Sequence, residues 1–145
     1  MEISFRRLSQ DDAAAVTVLS RQLGYPLSQE QIFDNINAVL ASKDHDAFVA
    51  VHKDHVVGWI GVAQTIMIES PSYCEINGLV IDENYRRKGI GELLIERAKQ
   101  WAKGKGNHSV RLRCNVKRVD AHAFYRHLGF KETKQQTNFE ISLTD

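Results

Sequence analysis

The sequence predicts an α/β (α+β) fold, a mixed and mostly antiparallel sheet carrying about four helices, and three observations predict it. Residues 47–52 and 56–68 are β-rich runs around a Lys53-Asp54 turn, which makes them an antiparallel hairpin. Residues 76–102 read as a buried strand, a tight basic glycine turn and an amphipathic helix. Val110, Leu112 and Cys114 then alternate with Arg111 and Arg113, so strand, helix and strand form one right-handed crossover between parallel neighbours. With 145 residues, 43% of them hydrophobic, the chain suits one globular domain over residues 1–145.

The elements follow in order. Ile3 and Phe5 alternate with polar residues in an opening strand over 3–8. Ser9 begins Ser-Gln-Asp-Asp, a capping-box-like start for a helix over about 11–23, which Gly24 ends. Ser28 with Gln31 repeats that pattern, and Ile32, Ile36, Val39 and Leu40 give the second helix one apolar stripe. Gly58 and Gly61 stand inside the strand over 56–68, where glycine marks a bulge, a close backbone approach or simple tolerance. After the break at Ser70-Pro71-Ser72, the strand over 73–81 feeds the basic turn. The helix beyond it places Ile90, Leu93, Leu94, Ala98, Trp101 and Ala102 on one face. Its early Glu92 and Glu96 and late Lys99 and Lys103 suit the helix dipole. Asp120 starts a short helix through Phe124, Tyr125 and Leu128 that stops at Gly129. Phe139, Ile141 and Leu143 alternate in a predicted closing strand.

Composition removes several function classes. Lys and Arg number 19 against 18 Asp and Glu, so no basic field calls for nucleic acid, and no 18-residue apolar run calls for a membrane. The N-terminal MEISFRRL lacks a signal-peptide core, which makes the cytoplasm the expected location. Cys74 and Cys114 form no Cys-x-x-Cys pair, and the six histidines form no HExxH pattern, so no metal is expected.

The turn Arg86-Arg87-Lys88-Gly89-Ile90-Gly91 carries the chemistry. Two glycines let the backbone approach a ligand while the N–H groups at the helix start point outward, the arrangement that binds phosphate. Three cations at a helix N-terminus are unfavourable unless an anion joins them, and they suit a diphosphate better than a carboxylate. A dinucleotide fingerprint would need glycine where Leu94 stands, and a nucleotide-triphosphate loop would need Gly-Lys-Ser/Thr where Gly91-Glu92-Leu93 stands.

What remains, Arg-x-x-Gly-x-Gly after an LVI strand, resembles the acetyl-CoA signature of the GCN5-related N-acetyltransferase (GNAT) family. Ala121-His122-Ala123-Phe124-Tyr125-Arg126-His127-Leu128-Gly129-Phe130 looks like that family's closing motif, at the right order and separation. The family often has asparagine seven residues before the tyrosine; Arg118 stands there, with Asn115 three residues earlier. The resemblance implies a sheet of six to seven strands, the fourth and fifth parallel and splayed. It implies acetyl-CoA as acyl donor, its pantetheine arm paired with the backbone at Leu79, Val80 and Ile81. The diphosphate would lie on Arg86, Arg87, Lys88, Gly89, Ile90, Gly91 and Glu92, with Asn115 and Tyr125 as further contacts.

Acetyl transfer to an amine poses two proton problems. An alkyl amine of pKa about 10.4 is mostly protonated near neutral pH, so exposing its lone pair costs on the order of 4 kcal/mol. The departing thiolate, of pKa about 8.5, is served by a positioned phenol. By resemblance Tyr125 is that acid. For the base, alternation along the strand places Tyr73, Glu75, Asn77 and Leu79 on one face, and a carboxylate buried among apolar neighbours there could accept the proton. Glu75 is the expected base; Asp82 and His122 are weaker candidates.

The resulting expectation is an acetyl-CoA-dependent N-acetyltransferase acting on a primary amine in a ternary complex. A non-catalytic acyl-CoA sensor and a protein-interaction module are the competing readings. Either a small molecule or a protein could supply the amine. The edge-forming segment over 134–143 makes a homodimer the expected assembly.

Overall fold

The computed structural model describes residues 1–144. The chain divides into two compact units, Met1–Arg113 and Cys114–Asp145.

The first unit is built on a five-stranded sheet in the order β1 (Ser4–Arg7), β2 (His45–His52), β3 (His55–Thr65), β4 (Tyr73–Ile81) and β5 (Val110–Leu112). The first four strands are antiparallel neighbours, and β4 and β5 are parallel. Between β2 and β3, Lys53 and Asp54 both take positive φ, the backbone of a tight hairpin whose twist matches the strands.

Helices cover both faces. α1 (Ala13–Arg21) follows a 3₁₀ turn whose entry is closed as the sequence predicts, the Ser9 N–H donating to Asp12 Oδ2 at 2.8 Å. α2 (Gln29–Ala41) is capped by Ser28, whose Oγ accepts the Gln31 N–H while Gln31 Oε1 accepts the Ser28 N–H. Leu8, Ala13, Val16, Ile32, Ile36, Ala47 and Val49 form the core on this face, with Trp59 packed against it. On the other face lies α3 (Ile90–Gly104), which buries Ile90, Leu94, Ile95, Ala98 and Ala102. Removing each of Ile90, Leu94 and Ile95 from water contributes about 1.5–3 kcal/mol. Leu93, expected on that stripe, is 51% exposed, and Ile95 takes the inward place. Residues 90, 94, 98 and 102 climb one helix face at intervals of four, and position 95 flanks that row where 93 lies round the side.

The second unit holds α4 (Val119–His127), closed by Gly129 at φ 96° with the Gly129 N–H on Arg126 O and the Phe130 N–H on Tyr125 O. The expected closing strand does not form, and among the described residues the sheet has five strands rather than six to seven. Phe139, Ile141 and Leu143 are 93%, 83% and 95% exposed. Alternation describes the faces of a strand but supplies no ladder partner, and among the described residues 131–144 have none.

Candidate active site

The site begins at a break in the sheet. The β4–β5 ladder consists of Cys74, Glu75 and Ile76 opposite Val110, Arg111 and Leu112, extended by the Cys74 N–H donating to Ser109 O. Beyond Ile76, one edge of residues 77–81 has no partner strand among the described residues. An extended chain could add itself there through main-chain hydrogen bonds.

A bulge sits at the point of separation. Gly61 pairs with Gly78 and Val62 with Ile76, which leaves Asn77 as an extra residue on β4. A Cβ on Gly78 would meet the Trp59 ring at 2.5 Å, so the packed ring demands glycine there, whereas a Cβ on Gly61 would meet Asn77 Oδ1 at 2.5 Å, the movable end of a side chain. The extra residue corrects the expected face assignment. Asn77 stays on the face of Tyr73 and Glu75, but Leu79 moves to the opposite face, opposite Ile60. The Trp59 Nε1–H is buried and has no hydrogen-bond partner among the described residues.

From Ile81 the chain passes through a 3₁₀ turn (Glu83–Tyr85) that sequence reading missed. Asp82 caps it, its Oδ1 accepting the Asn84 N–H at 3.0 Å, so this weaker base candidate has a structural task. Gln22 Oε1 accepts the Glu83 N–H, and the Tyr85 hydroxyl lies 2.8 Å from His52 Nδ1. These contacts brace the approach to the basic turn.

In the turn itself, Arg87 has φ 63° and Gly89 has φ 80°, and Gly89 is the N-cap of α3 with no side chain to offer its N–H groups. Among the described residues the backbone N–H groups from Lys88 to Glu92 have no hydrogen-bond acceptor. Arg86, Arg87 and Lys88 are exposed and form no ion pair with any described residue. A row of N–H groups and three cations without partners among the described residues, at the positive end of a 15-residue helix, is an arrangement suited to a polyanion.

Glu75 is not among apolar groups. Its Oε1 accepts an N–H of Arg113 at 2.7 Å, with the Glu75 side chain 19% exposed. Arg113, raised by that hydrogen bond and by the carboxylate's charge, is firmly cationic. Next to the pair, the Arg111 guanidinium stacks 4.0 Å above the centroid of the Tyr73 ring. Neither arginine was singled out from sequence, although their alternation with Val110 and Leu112 already placed them on one face. Cys74, fully buried, has its thiol pushed up to about 11 by burial, which keeps it an unreactive core group.

In the second unit Tyr125 packs edge-on against Phe124 and Phe130, with centroids 5.3 and 5.8 Å away. Burial raises its pKa, the Cys114 thiol adds to the shift and Arg118 opposes it. The phenol keeps its proton through the neutral range. Asn115 is engaged within its own loop: Oδ1 accepts the Lys117 N–H, and its carbonyl accepts from the Arg118 N–H and from His122 Nε2. His122 is thereby a loop brace.

The sequence model described as the Acetyltransferase (GNAT) family matches residues 13–130. An aminoalkylphosphonate N-acetyltransferase of Salmonella typhimurium is 26% identical over 126 residues, covering 86% of this chain and 82% of that protein. An uncharacterized N-acetyltransferase of Methanocaldococcus jannaschii is 38% identical over 65 residues, 45% of this chain but only 29% of that protein's own length. Human N-acetyltransferase 8 is likewise matched over 45% of its length. Among solved structures, AAC(6')-Iy in complex with the bisubstrate analog CoA-S-monomethyl-acetylneamine superposes with a TM-score of 0.87 at 15% identity, covering 98% of this chain and 99% of that one. At that identity the likeness is one of fold. The free β4 edge, the glycine turn and a family match over most of the chain agree: this protein belongs to the GNAT acetyltransferase family.

Proposed function

We propose that the protein is an N-acetyltransferase that moves the acetyl group of acetyl-CoA to a primary amine by direct attack in a ternary complex. The observation that carries this is the unpaired edge of β4 leading, through one 3₁₀ turn, into a basic turn with five N–H groups and three cations that have no partner among the described residues. On this reading the pantetheine arm lies along Leu79, Val80 and Ile81, and the diphosphate lies on the backbone from Arg87 to Glu92, with Arg86 and Lys88 beside it. A backbone N–H of the β4 segment polarises the thioester oxygen. The amine nitrogen attacks the thioester carbon, the C–N bond forms, the C–S bond breaks, and the departing thiolate receives a proton from Tyr125. The phenol is re-protonated as the amine's proton is released. Glu75 orients the incoming ammonium and takes its proton, and Asn115 contributes through its side-chain amide.

Relatives act on acceptors of contrasting charge, aminoalkylphosphonates and aminoglycosides by their names, so the family alone leaves the acceptor open. The competing reading, an acyl-CoA sensor, shares the turn but predicts no turnover. Titration calorimetry with acetyl-CoA, beside a Gly89→Asp, Gly91→Asp variant, tests the turn. Thiol release with an amine panel tests the transfer. Binding lost in the variant and thiol release with at least one amine support the proposal; binding without any turnover favours the sensor. The proposal extends to a homodimer, which a monomeric mass in light scattering would refute.

A further inference from the structure

We infer that the acceptor is a small amine that carries its own anionic group, a carboxylate or a phosphonate, and that Arg111 and Arg113 hold that group. This rests on the acetyltransferase reading above. The β4–β5 ladder sets Glu75 directly opposite Arg111, and directly opposed residues share a face. Arg113, two positions on, reaches the same face, as its 2.7 Å bond to Glu75 requires. Asn77 joins them where the ladder ends, at the mouth of the free β4 edge. One face of the sheet therefore carries two guanidinium groups beside one carboxylate, which Arg113 bonds while Arg111 stacks on Tyr73, so positive charge is in excess there.

The geometry leaves both forks available. Stacking on Tyr73 occupies the plane of the Arg111 guanidinium but not its N–H edge, which has no hydrogen-bond acceptor among the described residues. Arg113 spends one nitrogen on Glu75, and its side chain is 71% exposed. A planar guanidinium edge matches a carboxylate or phosphonate through paired N–H···O bonds. A zwitterionic amine is complementary to this set: its ammonium group meets Glu75 and its anion meets the arginines. A polycationic acceptor would bring its charges against both guanidinium groups, and a plain monoamine would leave them unmatched.

The test is steady-state thiol release from acetyl-CoA with β-alanine and 2-aminoethylphosphonate, set against n-propylamine, ethanolamine and the aminoglycoside kanamycin. The expected kcat/KM ratio favours the anion-bearing amines by about tenfold or more, the scale of one or two charge-assisted hydrogen bonds. Arg111→Gln and Arg113→Gln should each shrink that ratio, and Arg113→Lys should retain part of it through charge without the fork. Because the readout is a ratio, a general folding defect cancels from it. Equal or better use of n-propylamine or kanamycin overturns the inference, as does a ratio unchanged in the double glutamine variant. Acetyl-CoA binding without thiol release from any amine overturns the acetyltransferase reading and this inference with it.

Discussion

The ring of Trp59 fills the space that a side chain at position 78 would occupy: a Cβ there would stand 2.5 Å from Cη2 and 2.6 Å from Cζ3. The contact joins β3 to β4 at the bulge, where Gly61 and Gly78 face one another. Gly78→Ala must push a ring that is packed against the α1–α2 core, and should cost about 1–3 kcal/mol. Urea unfolding measures it. Combining Gly78→Ala with Trp59→Leu should recover part of the loss, since neighbouring substitutions that share one space are not additive.

Gly89 poses the opposite case. A Cβ there meets nothing within 4 Å, so Gly89→Ala tests the left-handed backbone alone. The strain is worth about 1–2 kcal/mol, and Gly89→Asn should cost less because asparagine tolerates this region. If the turn holds the diphosphate in this conformation, calorimetry should show acetyl-CoA binding weakened about tenfold in the alanine variant and less in the asparagine one.

Tyr125 has its pKa raised above the ordinary 10.0, chiefly by burial. The protonated phenol is the form present below the pKa, so an acid role persists through neutral and mildly alkaline pH and is lost only above about pH 10. Tyr125→Phe should lower kcat by about 10²–10⁴-fold with acetyl-CoA affinity roughly preserved. Unchanged turnover would remove Tyr125 from the chemistry.

Asp12 links charge to stability. Burial alone would raise its carboxyl, but Arg6, which donates two hydrogen bonds of 2.8 Å, and the Ser9 N–H more than offset that and lower the pKa. A depressed folded-state pKa contributes stability above the unfolded value near 4, and the contribution is lost as pH falls through the folded value. Asp12→Asn should therefore destabilise at pH 7 by about 1.5–3 kcal/mol, with the gap from the parent narrowing in acid. Thermal melts at pH 7 and pH 3 would measure it.

Most of the first unit was legible because its signals are local. Ser9 and Ser28 announce helix starts through bonds reaching only a few residues, and Lys53-Asp54 announces a hairpin. The bulge was half legible: Gly58 and Gly61 pointed to close approach, but Asn77, the residue that shifts Leu79 to the other face, carries no mark of its own. Glu75 was placed on the right strand, yet its partner Arg113 lies across a parallel ladder that periodicity does not register. The closing strand failed for the same reason, since alternation at Phe139, Ile141 and Leu143 says nothing about a neighbour.

The brevity of the β4–β5 ladder also bears on how the molecule assembles. Strands β2 and β3 close through a two-residue turn and share eight paired positions. Three parallel pairs, by contrast, form only after the whole of α3 has been laid back across the sheet. So few late contacts cannot offset much chain entropy by themselves, so β5 should join later and open sooner than the β2–β3 hairpin. Amide protons at Val110 and Leu112 should exchange faster than those of β3. A donor molecule lying along β4 would close that seam and slow them.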